Sequence, residues 1–331
     1  MLDPEARPPI DILCQLLADL LDLLGSGDSM QILKDPTALI QYENLIGTDV
    51  YMRPGLLRWE DVLAPGNFEQ HKRSIQRYKD LISVRRKVFG RAHPNTLWSM
   101  SCFAHAHQFL RNDKYMEDTG REDWAALNEV WEINKSRNGD EHPDTISAQV
   151  ALVATYSDAR KRSSEFMKLL GVQERILGNE HPETLKTMRL LGIALQSCGE
   201  RNSGAVIIKD ALMTQKRVMG PKHVETLLTK MEFAYGERHQ GRPMHALLLY
   251  RDLMMEFEEI FGHDHVDTLW CLYGQARAHL DQCEYRAAIR LFKQVLSPTM
   301  RVFGCDHWIV KVFKLRLAIA YREMKYGRDR V

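Results

Sequence analysis

The sequence lacks the features that would mark a nucleic-acid binder, a secreted disulfide scaffold or a membrane span. Its 45 basic and 44 acidic residues leave a net charge of +1. No broad field therefore draws in polyanions or anionic lipid. Six cysteines (Cys14, Cys102, Cys198, Cys271, Cys283 and Cys305) are scattered without a Cys-x-x-Cys pair, which favours reduced thiols and a cytoplasmic location. One strongly apolar run, residues 10–24, falls short of the about 20 residues that a bilayer requires. Its flank is acidic (Asp3, Glu5), unlike the start of a signal peptide. There is no Walker GxxxxGK[ST] loop, and Gly199-Glu-Arg-Asn-Ser-Gly204 runs on into Ala205-Val206. HExxH, GxSxG and kinase signatures are missing too. The expectation is a non-enzymatic chain without a cofactor.

What the sequence does have is a period. His93, His142, His181, His223, His265 and His307 follow one another at steps of 49, 39, 42, 42 and 42 residues. Each has a glycine three residues earlier, and five have a threonine three residues later. A repeat of this length marks stacked supersecondary units. A glycine just past a helix closes its carboxyl end at positive φ. Proline after the histidine (Pro94, Pro143, Pro182) suits the first turn of the next helix. Gly-x-x-His-Pro-x-Thr-Leu thus reads as a helix–helix corner. Counting from each histidine, apolar residues recur at +4, +7 and +10, a small residue at +11, and a second apolar set at +23, +27 and +30. Both halves keep the 3.6-residue period, so each unit is two antiparallel helices of about four turns.

The internal order decides among helical repeats of similar length. Leu152-Val-Ala-Thr-Tyr156 and Leu317-Ala318-Ile-Ala-Tyr321 follow two of the histidines, and the fourth unit continues Phe233-Ala234, Gly241-Arg242, Ala246. This pattern resembles the tetratricopeptide repeat, and the long unit with its His-Pro corner resembles the kinesin light chain type, which also recurs in arrays of fungal and bacterial NOD-like receptor proteins. The resemblance implies an all-α, right-handed superhelical solenoid of helix pairs over residues 67–328, with the first helix of each pair lining a concave face. It also departs from the pattern: Val224, Val266 and Trp308 replace the corner proline. The first unit is longer near residues 114–122, and the second is shorter near 160–163.

Residues 1–66 read as an amphipathic helix (10–24) followed by an irregular arm. The helix caps the stack or, alternatively, makes a partner or self-association contact. Residues 70–89 read as a lone second helix, and residues 309–326 as a first helix with none after it. Ser83-Val-Arg85-Arg86-Lys87 reads as a solvated basic face rather than a nucleic-acid stripe.

His263-Asp-His265, Glu141-His142 and Glu180-His181 tempt one towards metal. Corners about 8–10 Å apart cannot share an ion with bonds of roughly 2 Å, so corner histidines are expected to be structural. The positions expected to face outward on the first helices are +5, +8, +12 and +15. They include Trp98, His105, Lys186, Arg189, Tyr235, Arg238, Trp270, Tyr273 and Arg277. Arginine and aromatics are enriched at binding hot spots, so this groove is expected to take a protein or peptide segment with acidic and apolar side chains. The competing reading is that Trp98 and Trp270 pack between helices. The alternative functions are an enzyme or accessory factor of a small-molecule pathway using the superhelix interior, and a sensor array without its nucleotide-binding domain.

Overall fold

The computed structural model describes residues 68–110, 119–305 and 308–326. The expectations for residues 1–66, self-association through 10–24 included, lie outside the described residues, as does His307. Among the described residues there are twelve helices and no strand. The chain divides into two compact units, taken here in turn.

The first unit contains most of α1 (Phe68–Val88) and α2 (Pro94–Leu110). Arg85 corrects the reading of a wholly solvated basic face. It is buried, and its Nη1 donates to the Asn95 carbonyl at 3.1 Å and to Ser99 Oγ at 2.5 Å, tying α1 to α2. Only Lys87 of the Arg-Arg-Lys run is exposed.

The second unit is an all-α solenoid. It runs α3 (Thr119–Asn138), α4 (Pro143–Ala154), α5 (Ala159–Ile176), α6 (Pro182–Ser197), α7 (Arg201–Val218), α8 (Val224–His239), α9 (Pro243–Phe261), α10 (Val266–Asp281), α11 (Tyr285–Phe303) and α12 (Trp308–Tyr326). The complete first-and-second-helix pairs are α4/α5, α6/α7, α8/α9 and α10/α11. Each helix packs on its neighbours in sequence, and α4, α6, α8 and α10 also touch one another in turn. The core follows the sequence period. Leu185, Leu227 and Leu269 at +4 are buried, as are Ile208, Tyr250 and Phe292 at +27 and Ala211, Leu253 and Val295 at +30. Gly192 and Gly204 bring α6 and α7 into backbone contact: a Cβ on Gly204 would lie 2.6 Å from the Gly192 carbonyl oxygen. At the same +11 position Ala234 and Ala276 are buried, whereas Ala318 is exposed because no described helix follows α12.

The corners explain the periodic residues. The glycines hold φ between 84° and 93°. Gly262 (ψ 174°) and Gly304 (ψ 159°) occupy the extended positive-φ region that is almost closed to other residues. Each described corner histidine is the N-cap of the following helix. Nδ1 of His93, His142, His181, His223 and His265 accepts the backbone N–H two residues on, at 3.2–3.3 Å. This satisfies an otherwise orphaned amide and requires the ring proton on Nε2. The threonines are buried, and Thr96 and Thr268 donate to the carbonyls of Gly90 and Gly262.

A clasp closes the open end of each pair. The residue before the corner histidine meets the end of the second helix: Glu141 with Arg175, Glu180 with Arg217, Asp264 with Arg301. In the α8/α9 pair the signs are exchanged, Lys222 with Glu259 at 3.0 Å. Hydrogen bonding and the charge of the arginine hold the carboxyls of Glu141 and Glu180 below their ordinary value. All four clasps lie in solvent, so each is weak.

Candidate partner-binding surface

Because successive first helices touch, their outward sides form one face. Its centre is built from α6, α8 and α10. Arg189 on α6 is largely covered, and its Nη2 reaches Glu225 Oε2 on α8 at 3.2 Å. Arg238 on α8 is buried, and its Nη1 donates to Asp281 Oδ2 on α10 at 2.6 Å. Both arginines therefore tie one pair to the next. Lys186 sits 3.8 Å from Glu183, one turn away on its own helix. Burial raises the carboxyl of Glu232 on α8, and the Arg189 charge opposes that.

Tyr235 is 44% exposed. Its ring lies 4.3 Å from that of His239, and the Arg238 guanidinium is 5.6 Å from its centroid. Arg238 Nη2 lies 2.6 Å from His239 Nε2; a guanidinium only donates, so Nε2 accepts. Burial, then the charges of Arg238, Arg201 and Arg277, push the His239 imidazole down to about 4 against the pull of Asp281. Arg277 Nη1 donates to the Tyr273 hydroxyl at 3.4 Å, and among the described residues its buried Nε has no hydrogen-bond partner.

Trp270 and Tyr273 belong to an aromatic cluster that joins α10, α11 and α12. Tyr273 stacks on Phe313 at 4.3 Å, and Trp270 stands edge-on to Tyr273 at 5.3 Å and to Phe313 at 5.5 Å. Phe292 completes it, 5.9 Å from Tyr273. Trp98, half-buried, and His105 lie on α2 in the other unit, and the side chain of His105 is outside the described set.

The α6–α8–α10 face thus gathers Lys186, Arg189, Tyr235, Arg238 and Arg277, with Trp270 and Tyr273 at its edge. His239, Arg201, Glu225 and Asp281 were not singled out in the sequence. The signal for the two acids was an opposite charge about one repeat further on, 36 residues from Arg189 and 43 from Arg238. Among the described residues no His, Cys, Asp and Glu group is placed to hold a metal ion. No described helix is long and apolar enough to cross a membrane.

Residues 225–297 match the tetratricopeptide repeat family. No curated protein matches the chain. Among solved structures, BtubC (BKLC) from P. vanneervenii shares the fold at a TM-score of 0.52, with 11% identity over 69% of this chain and 90% of that one. A Rap protein complexed with Competence and Sporulation Factor gives 0.51 at 8% identity over 89% and 78%. The nearly identical TPR-like repeats of a kinesin light chain-type protein from Podosopora anserina give 0.47 at 20% identity over 63% and 97%. The matched segment is similar to tetratricopeptide repeats, and the described helices form an all-α solenoid of helix pairs.

Proposed function

We propose that the chain is a non-catalytic adaptor that binds a segment of another protein along its first-helix face, and that the segment carries acidic and apolar side chains. The observation that supports this is the outward side of α8, where Tyr235 is 44% exposed and the Arg238 guanidinium lies 5.6 Å from its ring centroid. Arginine offers a fork to a carboxylate, and a tyrosine ring offers apolar area at small entropic cost.

The ion pairs decide which substitutions test it. Reversing Arg189 or Arg238 breaks a tie between helix pairs, so loss of binding in those variants would not separate recognition from stability. Among the described residues Arg277 has no such tie to a carboxylate. The test is affinity purification with quantitative mass spectrometry on the full chain, Arg277→Glu and Tyr235→Ala, with urea unfolding of each. Both variants are expected to lose the same partners while the unfolding midpoint stays put. Unchanged recovery of those partners rejects the reading.

A further inference from the structure

The opposite side of the solenoid, made by second helices, carries a feature that the first-helix face does not use. On α7, Val206 and Met213 are 58% and 62% exposed; on α9, Leu248 and Met255 are 47% and 56% exposed. The two sets are separated by one 42-residue repeat, so they occupy matching heights on helices that run the same way. Residues seven apart share a helix face, and those three and four from either end lie between them. Between the apolar ends stand Lys209 and Asp210 on α7, and Arg251 and Asp252 on α9, all exposed. Among the described residues none of these four is drawn into an ion pair. Met167 on α5 extends the apolar area on one side. On the other side α11 ends it, with Arg290 and Ser297 at the equivalent heights.

The pattern repeats on each helix as apolar, cation, anion, apolar. Such a strip complements itself when turned end for end. Val206 then meets Met213 of a second copy and Lys209 meets its Asp210, while Leu248 meets Met255 and Arg251 meets Asp252. The other two-fold arrangement sets α7 parallel to α9 of the copy and brings Lys209 against Arg251 and Asp210 against Asp252. Like charges in contact oppose that arrangement. A two-fold contact uses the same surface twice, and exposed methionines adapt to an apolar counterpart.

We infer that a second copy of this chain docks on the outward side of α7 and α9, with α7 antiparallel to α7 and α9 antiparallel to α9. This goes beyond the proposed adaptor reading and uses a different face, so either can fail alone.

The experiment is sedimentation velocity on the full chain from about 1 to about 100 µM, the range in which modest interfaces populate. The wild-type chain is expected to move from monomer to dimer mass. Met213→Glu/Met255→Glu should stay monomeric with its unfolding midpoint unchanged. Lys209→Asp sets four aspartates together in the antiparallel arrangement and should weaken association about tenfold or more. Lys209→Asp/Asp210→Lys restores the complement and should recover it. A wild-type chain that is monomeric throughout overturns the inference, as does a dimer that survives the glutamates. Tighter association of Lys209→Asp would mean α7 packs parallel to α9, and overturns the antiparallel assignment.

Discussion

Replacing two corner histidines separates the role of the ring nitrogen from that of the ring. Nδ1 of His223 accepts the Glu225 amide at 3.2 Å, and that of His265 accepts the Asp267 amide at 3.3 Å. Removing an N-cap acceptor costs about 0.5–2 kcal/mol, so His223→Ala is expected to lose about 1 kcal/mol. His265 does more: its ring stacks on Phe261 at 4.3 Å and 22°. Aromatic pairs add about 0.5–1.5 kcal/mol, so His265→Ala is expected to lose about 1–3.5 kcal/mol. Asparagine discriminates the two contributions, because it caps but cannot stack. His223→Asn should be nearly neutral. His265→Asn should retain the cap and lose only the stacking, and in a Phe261→Leu background it should be nearly neutral as well. The assay is urea unfolding followed by far-UV circular dichroism, comparing midpoints at constant slope. If His223→Asn falls as far as His223→Ala, the capping explanation of the period is wrong.

Other consequences can be checked the same way. Gly262→Ala should cost about 1–3 kcal/mol, and Gly262→Asn should rescue little, because ψ of 174° lies outside the left-handed region that asparagine tolerates. Gly204→Ala should cost about 1–3 kcal/mol by forcing α6 and α7 apart. Leu227→Ala, at a fully buried site, should cost about 2–5 kcal/mol; a loss below about 0.5 kcal/mol would mean that its burial is misassigned. His239 titrates at about 4 in the folded chain against an ordinary 6.5. The unfolded chain therefore binds the proton first, and stability is intact above about 6.5 and is lost as pH falls towards 4. After discounting for partial exposure the loss is about 1–2 kcal/mol, and His239→Gln should flatten that slope in pH-dependent unfolding curves.

The helices and corners were legible because their causes are local and repeated. Leu185, Leu227 and Leu269 recur with the helical period, and each glycine, histidine and threonine answers to a backbone group within a few residues. Even so, the histidines could be placed at the corner without their capping role being seen, since serine, threonine and aspartate are the usual caps. The candidate surface was less legible. A +8 or +15 position predicts direction on one helix, but whether Arg189 or Arg238 is free depends on an acid one repeat away. Trp270 and Tyr273 depend in the same way on Phe313, supplied by α12. Arg85 looked solvated because its neighbours are charged, yet its turn of α1 faces Asn95 and Ser99. Residue type and period fix which way a side chain leaves its helix; what waits there is a property of the stack.

The exchanged signs of Lys222 and Glu259 bear on how such a chain can diversify. Each clasp joins two residues 34 or 37 positions apart, so both halves travel together when a whole unit is copied, deleted or moved. A genetic exchange with its breakpoint inside a unit is treated differently. Joining the first helix of the α6/α7 unit to the second helix of the α8/α9 unit would set Glu180 against Glu259, and the reciprocal product would set Lys222 against Arg217. Exchange within the hairpins is thereby mildly disfavoured wherever the α8/α9 unit is one of the two partners, whereas the other three units, whose clasps share one order of charge, remain interchangeable in this respect.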